Sequence, residues 1–364
     1  FYSVLGEKVP TAGYAFFGAV FLSSPLISEV FTYFLHNGIA IGYLCCGISL
    51  CCVREWQSST RKMQKGSGIR QKLGCLAVAK ILTAAVFLWI AMGCYESFMI
   101  LWLAGLMLLL LTERIARGRQ EKDIFATLVA GAVAALVAIV LRSVMIVVVT
   151  KAFHLEYLRG EAVQRSVTEM LGWMLQPGAF GELAMILKRT FVLYGVFAYA
   201  YLPIRIFILS AAVILVVTLV RVIRGRDLWA LLLLPAAYLA AFSLLFIEGK
   251  ATLYRSAQFL PVFCGYGALL FVYGIWQLTG TMSPKAKNTA GRKISAGVRA
   301  LAVLVLAVIL WNQCMDMTRW FYIDKKKYDA AVKTVDQIAM DLERDFDTSK
   351  PVIFTGNYDI PYSI

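Results

Sequence analysis

The chain has 364 residues, 60% of them hydrophobic and only 16% charged, with a mean hydropathy of +0.72. Soluble domains carry roughly a quarter charged residues, so this composition excludes a soluble globular enzyme. The formal charge of +14 does not mark a nucleic-acid binder either, because the cations gather in short loops between varied apolar blocks.

In chain order, apolar runs occupy 11–24, 28–52, 74–93, 97–113, 124–150, 191–220, 229–247, 256–279 and 297–312. A bilayer span needs roughly 20 apolar residues, and the pattern predicts an all-α polytopic transmembrane bundle of about nine spans. Loops 54–73, 114–122, 221–228 and 280–296 hold the Arg and Lys clusters. Every second connection is therefore basic, as one consistent topology demands, and the positive-inside rule puts these four on the cytoplasmic side. The other face receives Glu29, the turn at 94–97, the long loop 151–190, the loop 248–255 and everything from 313. The opening FYSVLGEKVP lacks the basic start of a signal peptide. The chain is expected to begin partway into a longer protein.

Two segments beyond the spans have a pattern of their own. Within 161–175, Val163, Val167, Leu171 and Met174 fall on one side of a predicted interfacial helix. From Tyr328, apolar residues recur at Val332, Val335, Ile338, Leu342 and Phe346, the spacing of an amphipathic helix. PVIFTG at 351–356 follows as a predicted strand and turn. The domain reading is thus a membrane bundle over 1–312 with an outer loop at 151–190, and a small extracytoplasmic α/β module over 313–364.

Ionisable groups in hydrocarbon are costly and mark pockets, pairs or paths. Glu29, Tyr33, His36 and Asn37 share one helical face through offsets of four, seven and eight. That face is either a hydrogen-bonded seam or a pocket wall, with Glu29 placed to act as a base. Tyr95 and Glu96 form the turn of a tight helical hairpin on the same side as Glu29. Arg142 stands deep in its run, about eight residues from the outer end, so a carboxylate or phosphate partner is expected. Arg205 follows Pro203, where a membrane helix breaks easily. Lys188, Arg189, Lys250 and Arg255 gather cations at the outer interface, beside Glu248 and Tyr254. Arginine forks suit phosphate oxygens, although lipid-headgroup anchoring accounts for single cations equally well.

Other chemistries lack their motifs. No P-loop, GxSxG or HExxH is present. Eight cysteines, among them CCGISLCC at 45–52, lie mostly in or beside apolar runs and are predicted to be buried thiols. A Cys94–Cys314 disulfide is left open. The histidines, His36 and His154, are too few for a metal centre. No metal ligands or cofactor are assigned, with a divalent cation left open. Gly38 and Gly42 are expected to serve helix packing.

The segment SSPLISEVFTYFLHNGIAIGYLCC at 23–46 resembles a region of the GtrII-type membrane glucosyltransferases, and CYESF at 94–98 resembles their short outer turn. WNQCMDMTRWFYIDKKKYDAAVKTVDQIAMDLE at 311–343, followed by KPVIFTG at 350–356, is similar to the family's closing region, the most specific of these blocks. One departure is that the family's aspartate position falls on His36 or Asn37.

The resemblance implies a GT-C-type glycosyltransferase in the bacterial cytoplasmic membrane, active on its outer face. Such an enzyme moves a hexose, glucose first of all, from a polyprenyl-phosphate carrier to a surface polysaccharide such as O-antigen or teichoic acid. A donor synthase and a flippase are the implied partners, together with the bilayer and no nucleic acid. Glu29, Glu96 and Glu248 are then the catalytic candidates. Tyr33, His36, Asn37, Tyr95, Arg142, Lys188, Arg189, Arg205, Tyr254 and Arg255 are the candidates for substrate binding. A lipid-linked-sugar flippase or transporter is the rival reading, and a non-catalytic scaffold the third. The resemblance also implies that an acidic site lies in spans preceding this sequence.

Overall fold

The computed structural model describes residues 1–27, 38–65, 70–117, 121–153, 172–192, 196–197, 200–201, 205–225, 227–243, 258–282 and 289–345. They form a helical bundle. A single turn, α1 (Tyr2–Leu5), leads into α2 (Thr11–Leu22), α3 (Gly38–Lys65), α4 (Arg70–Cys94), α5 (Phe98–Arg117) and α6 (Glu121–Ala152). Then follow α7 (Ala179–Val192), α8 (Arg205–Gly225), α9 (Leu228–Ala241), α10 (Phe259–Met282) and α11 (Thr289–Asp345). Among the described residues the one strand pairing is a two-residue antiparallel match of β1 (Val196–Phe197) with β2 (Ala200–Tyr201).

Burial sorts the helices into a centre and a rim. Of the most apolar part of α5, 83% is buried inside the protein, against 17% of the most apolar part of α6. Helix α5 lies against α9 and the short α1, while α10 lies against α2 and α8. Trp102, Tyr266, Phe98 and Phe263 fill the space between them. Leu136, Leu232, Leu304 and Val78 instead point outward. A row of exposed aliphatic side chains on long helices is the surface a bilayer covers, since all backbone groups are satisfied within the helix.

Close contact of α3 with its neighbours depends on one glycine, Gly42. A Cβ on Gly42 would overlap the Phe98 ring, whereas one on Gly38 would meet the Cys94 sulfur at an ordinary 3.7 Å. All eight cysteines are free thiols, so Cys94 and Cys314 form no disulfide.

The architecture corrects the expected fold in two respects. Among the described residues seven helices, not about nine, are long and apolar enough to cross a membrane. Helix α2 has 12 residues and α9 has 14, and at about 1.5 Å per residue neither reaches across roughly 30 Å of hydrocarbon. Backward growth of α2 is stopped by extended Pro10, and its far end by the turn at Ser23 and Ser24. The run 191–220 is not one span either. It is divided between the end of α7, the β1–β2 pair and α8, which begins only at Arg205.

The second correction concerns the C-terminal α/β module. Helix α11 runs unbroken for 57 residues, so the amphipathic stretch from Tyr328 is the continuation of the last span and not part of a separate α/β unit. The proposed strand at 351–356 lies outside the described residues, as does most of the interfacial helix proposed at 161–175. What is described there is a 3-10 turn at Gly172–Leu175 and then α7.

Candidate active site

Described residues from three of the basic loops, 54–73, 114–122 and 221–228, meet at one end of the bundle. There the Arg114 guanidinium pairs with the Asp227 carboxylate, and Arg54 pairs with Glu113 at 3.5 Å. Arg221 Nε donates to the Arg114 carbonyl at 3.3 Å, and Lys8 Nζ donates to the Ala116 carbonyl at 2.6 Å. Asp227 also caps α9 by accepting from the Ala230 amide at 3.4 Å. One carboxylate thus fixes both the start of α9 and the end of α5.

At the opposite end, α4 turns into α5 through Tyr95, Glu96 and Ser97, closed by the Phe98 amide donating to the Tyr95 carbonyl at 3.1 Å. Arg142 of α6 forms an ion pair with Glu96 across this turn. The Glu96 side chain is 73% exposed and that of Arg142 31%. Arg142 is deep only when measured along its own run. In the fold, α6 extends ten residues past Arg142, with Val144, Val147 and Val148 exposed, so Arg142 stands level with the α4–α5 turn. The guanidinium there has a carboxylate counter-charge, which a bare cation at that depth of an apolar helix would lack. Tyr95 is half-buried and packs on the core.

Two further contacts close this end. The Ser23 hydroxyl donates to Gln313 Oε1 at 2.9 Å, and the Tyr43 hydroxyl donates to the Gln258 carbonyl at 2.8 Å. The Tyr43 ring meets Phe98 edge-on at 5.2 Å, which links Gln258 to the residues beside Glu96.

Of the residues singled out by sequence, the structure brings together Tyr95, Glu96 and Arg142. Lys188 and Arg189 lie on α7, and Arg205 is the first residue of α8. Glu29, Tyr33, His36, Asn37, Glu248, Tyr254 and Arg255 lie outside the described residues. No group of three or more His, Cys, Asp or Glu side chains among the described residues could hold a metal ion.

Sequence reasoning passed over several buried or membrane-level polar groups. Glu113 and Arg114 end the apolar run of α5, and their adjacency in LLTERIAR was a signal of buried pairing. Asp227 before LWALLLL is a helix-start signal. Lys80, inside α4, pairs with Glu55 at 2.9 Å. Ser24, Gln258 and Gln313 carry no sequence signal, being neutral residues at the edges of apolar runs.

A cavity of about 680 Å³ follows α3 on its side toward α2 and α5. Phe21 and Tyr43 line one end, Leu44, Ile48 and Leu101 the wall, and Arg54 the basic end. Leu44 is exposed, so the cavity lies against the lipid-facing surface.

A family model described as Glucosyl transferase GtrII matches residues 3–272, well over half of the chain. The match ends within α10, so the closing region at 311–356 lies beyond it. No curated protein and no solved structure matches the chain. A multi-span helical bundle matched over this length belongs to the GtrII glucosyl transferase family, a GT-C-like family of membrane glycosyltransferases.

Proposed function

We propose that the protein transfers a hexose, glucose in the first instance, from a polyprenyl-phosphate carrier to a bacterial surface polysaccharide such as O-antigen or teichoic acid. The reaction takes place on the extracytoplasmic side of the cytoplasmic membrane, at the end of the bundle opposite the basic loops. The observation that carries this reading is the family match over residues 3–272. Support comes from the Glu96–Arg142 pair, which sets a carboxylate and a guanidinium side by side at that end.

In the proposed reaction an acceptor hydroxyl attacks C1 of the sugar. The bond from C1 to the acceptor oxygen forms as the bond from C1 to the phosphate oxygen breaks. The hydroxyl proton passes to a carboxylate, and polyprenyl phosphate departs with the electron pair. Such a leaving group needs cationic stabilisation more than a proton donor. Arg142 fills that role in this reading, with Lys188, Arg189, Arg205 and Arg255 as further phosphate contacts. Glu96 is the base or the hydroxyl-orienting group, with Glu29 and Glu248 as the other acids. Tyr33, His36, Asn37, Tyr95 and Tyr254 contact the sugar or the acceptor. The apolar cavity along α3 has the volume and lining that suit part of an isoprenoid tail.

Reconstituted protein given polyprenyl-phosphate glucose and an acceptor glycan is expected to release polyprenyl phosphate and to add one hexose per event, followed by mass spectrometry of the glycan. Movement of the carrier across the vesicle with no release would replace this reading by lipid-linked-sugar flipping.

A further inference from the structure

At the end that carries Glu96 and Arg142, a group of neutral polar side chains is buried without its hydrogen bonds. Ser24 is 1% exposed, and Gln258 and Gln313 are each 5% exposed. Neither the Ser24 hydroxyl, nor either polar atom of the Gln258 amide, nor Gln313 Nε2 has a hydrogen-bond partner. Three elements carry these groups to the same end of the bundle, Ser24 beside the Ser23–Gln313 hydrogen bond and Gln258 one step away through Tyr43, whose ring meets Phe21 at 5.0 Å. Ser24 precedes the short 3-10 turn Pro25–Ile27, which packs on both α10 and α11, Gln258 immediately precedes α10, and Gln313 belongs to α11. Ser97, next to Glu96, is a fourth buried residue with an unpartnered polar atom, reached from Gln258 through Tyr43 and Phe98.

An unmade hydrogen bond on a buried group costs about 1–3 kcal/mol. Native folds keep few such groups, and a cluster of them calls for an explanation. The main-chain carbonyl of Gln258 is held by Tyr43, and Gln313 Oε1 is held by Ser23. The scaffold therefore fixes these residues while leaving their remaining donors and acceptors open. No cation is among them, so the set is poorly suited to phosphate. Amides and hydroxyls that both donate and accept match the hydroxyls of a pyranose ring, which do the same.

We infer that Ser24, Gln258 and Gln313 form a neutral subsite that reads the hydroxyls of the transferred sugar and so sets which hexose is accepted. This rests on the proposed transfer reaction. The charged pair Glu96–Arg142 handles proton and phosphate, and the neutral group discriminates between epimers. A site built to hydrogen-bond a hydroxyl rejects an analogue that misplaces it, because its own buried groups are then left unpaired.

The test compares polyprenyl-phosphate glucose with polyprenyl-phosphate galactose as donors for reconstituted wild type, Ser24→Ala, Gln258→Met and Gln313→Met. The kcat/KM ratio of the two donors is expected to fall about five- to tenfold in the Gln258 variant, the equivalent of one lost hydrogen bond. At Gln258 methionine removes an amide with neither atom bonded at nearly constant volume, so thermal stability should be unchanged or raised, whereas at Gln313 it also gives up the bond from Ser23. An unchanged donor ratio in the folded variants overturns the inference and leaves sugar transfer standing. Absence of transfer to the glycan by wild type overturns the reaction itself, and the subsite with it. Should Gln258→Met fail to fold, Ser24→Ala and Gln313→Met decide by the same ratio.

Discussion

The two ends of the bundle handle polarity in opposite ways. At the basic end, charge is buried and paired, with Arg114 against Asp227 and Arg54 against Glu113, at side-chain exposures between 6% and 19%, although Nε and Nη1 of Arg114 make no hydrogen bond. At the other end the described charge pair, Glu96 with Arg142, is open to its surroundings, and the buried polar groups are neutral and incompletely bonded. Removing one partner of a buried pair strands the other, so such a pair fixes geometry. An exposed pair contributes little to stability and can exchange partners at small cost. One end is held by its own side chains, and the other presents groups that a ligand can complete.

The largest effect should come from the basic end. Asp227→Ala leaves the Arg114 guanidinium buried without its counter-charge and removes the cap of α9. We expect about 3–5 kcal/mol of destabilisation, seen as loss of folded protein in detergent and a lower melting temperature. The double variant Arg114→Met with Asp227→Leu should recover most of it. A single variant as stable as wild type would contradict the assignment of this end as a fixed anchor.

Arg142→Ala should show the converse. Turnover is expected to drop about 10²-fold, the scale of losing one charge-stabilising contact, while stability changes by less than about 1 kcal/mol because the pair is exposed. Arg142→Lys should restore part of the activity. Parallel losses of activity and stability would move the pair from chemistry to scaffold.

Gly42→Leu tests the close approach of α3 to Phe98 beside the α4–α5 turn. Overpacking there should cost about 1–3 kcal/mol, and shortening Phe98 to Ala in the same protein should relieve part of the clash. The smallest effect belongs to Lys80→Met. Its partner Glu55 is 62% exposed, so the change should cost no more than about 1 kcal/mol, measured by thermal unfolding.

Much of the bundle was legible because long apolar runs and basic loops are direct consequences of bilayer physics. Apolar content did not give span length. Residues 11–24 and 229–247 are apolar enough, but Pro10, the Ser23–Ser24 turn and the end of α9 at Phe242 cut them short. The tail was divided at 312 because the composition there changes from apolar to amphipathic. That change alters the surroundings of a helix without ending it, and no Gly or Pro stands between 298 and 345 to do so.

The candidate site was legible only in part. Glu96 and Arg142 were each visible as charges in an apolar setting, but their meeting depends on how far α6 outruns the α4–α5 turn, which periodicity within one helix does not encode. Gln258 and Gln313 are unremarkable in sequence, because what distinguishes them is the lack of a neighbour.

The unbroken α11 has a mechanical consequence. At about 1.5 Å per residue its 57 residues span roughly 85 Å, and a hydrocarbon core takes up only about 30 Å of that. Some 50 Å of stiff rod therefore stands beyond the apolar segment, rooted where Gln313 receives the Ser23 hydroxyl. A small tilt at that root swings the tip through many ångströms. Conversely, a load on the tip arrives at the root as torque, beside the side chains of Gln258 and Ser24.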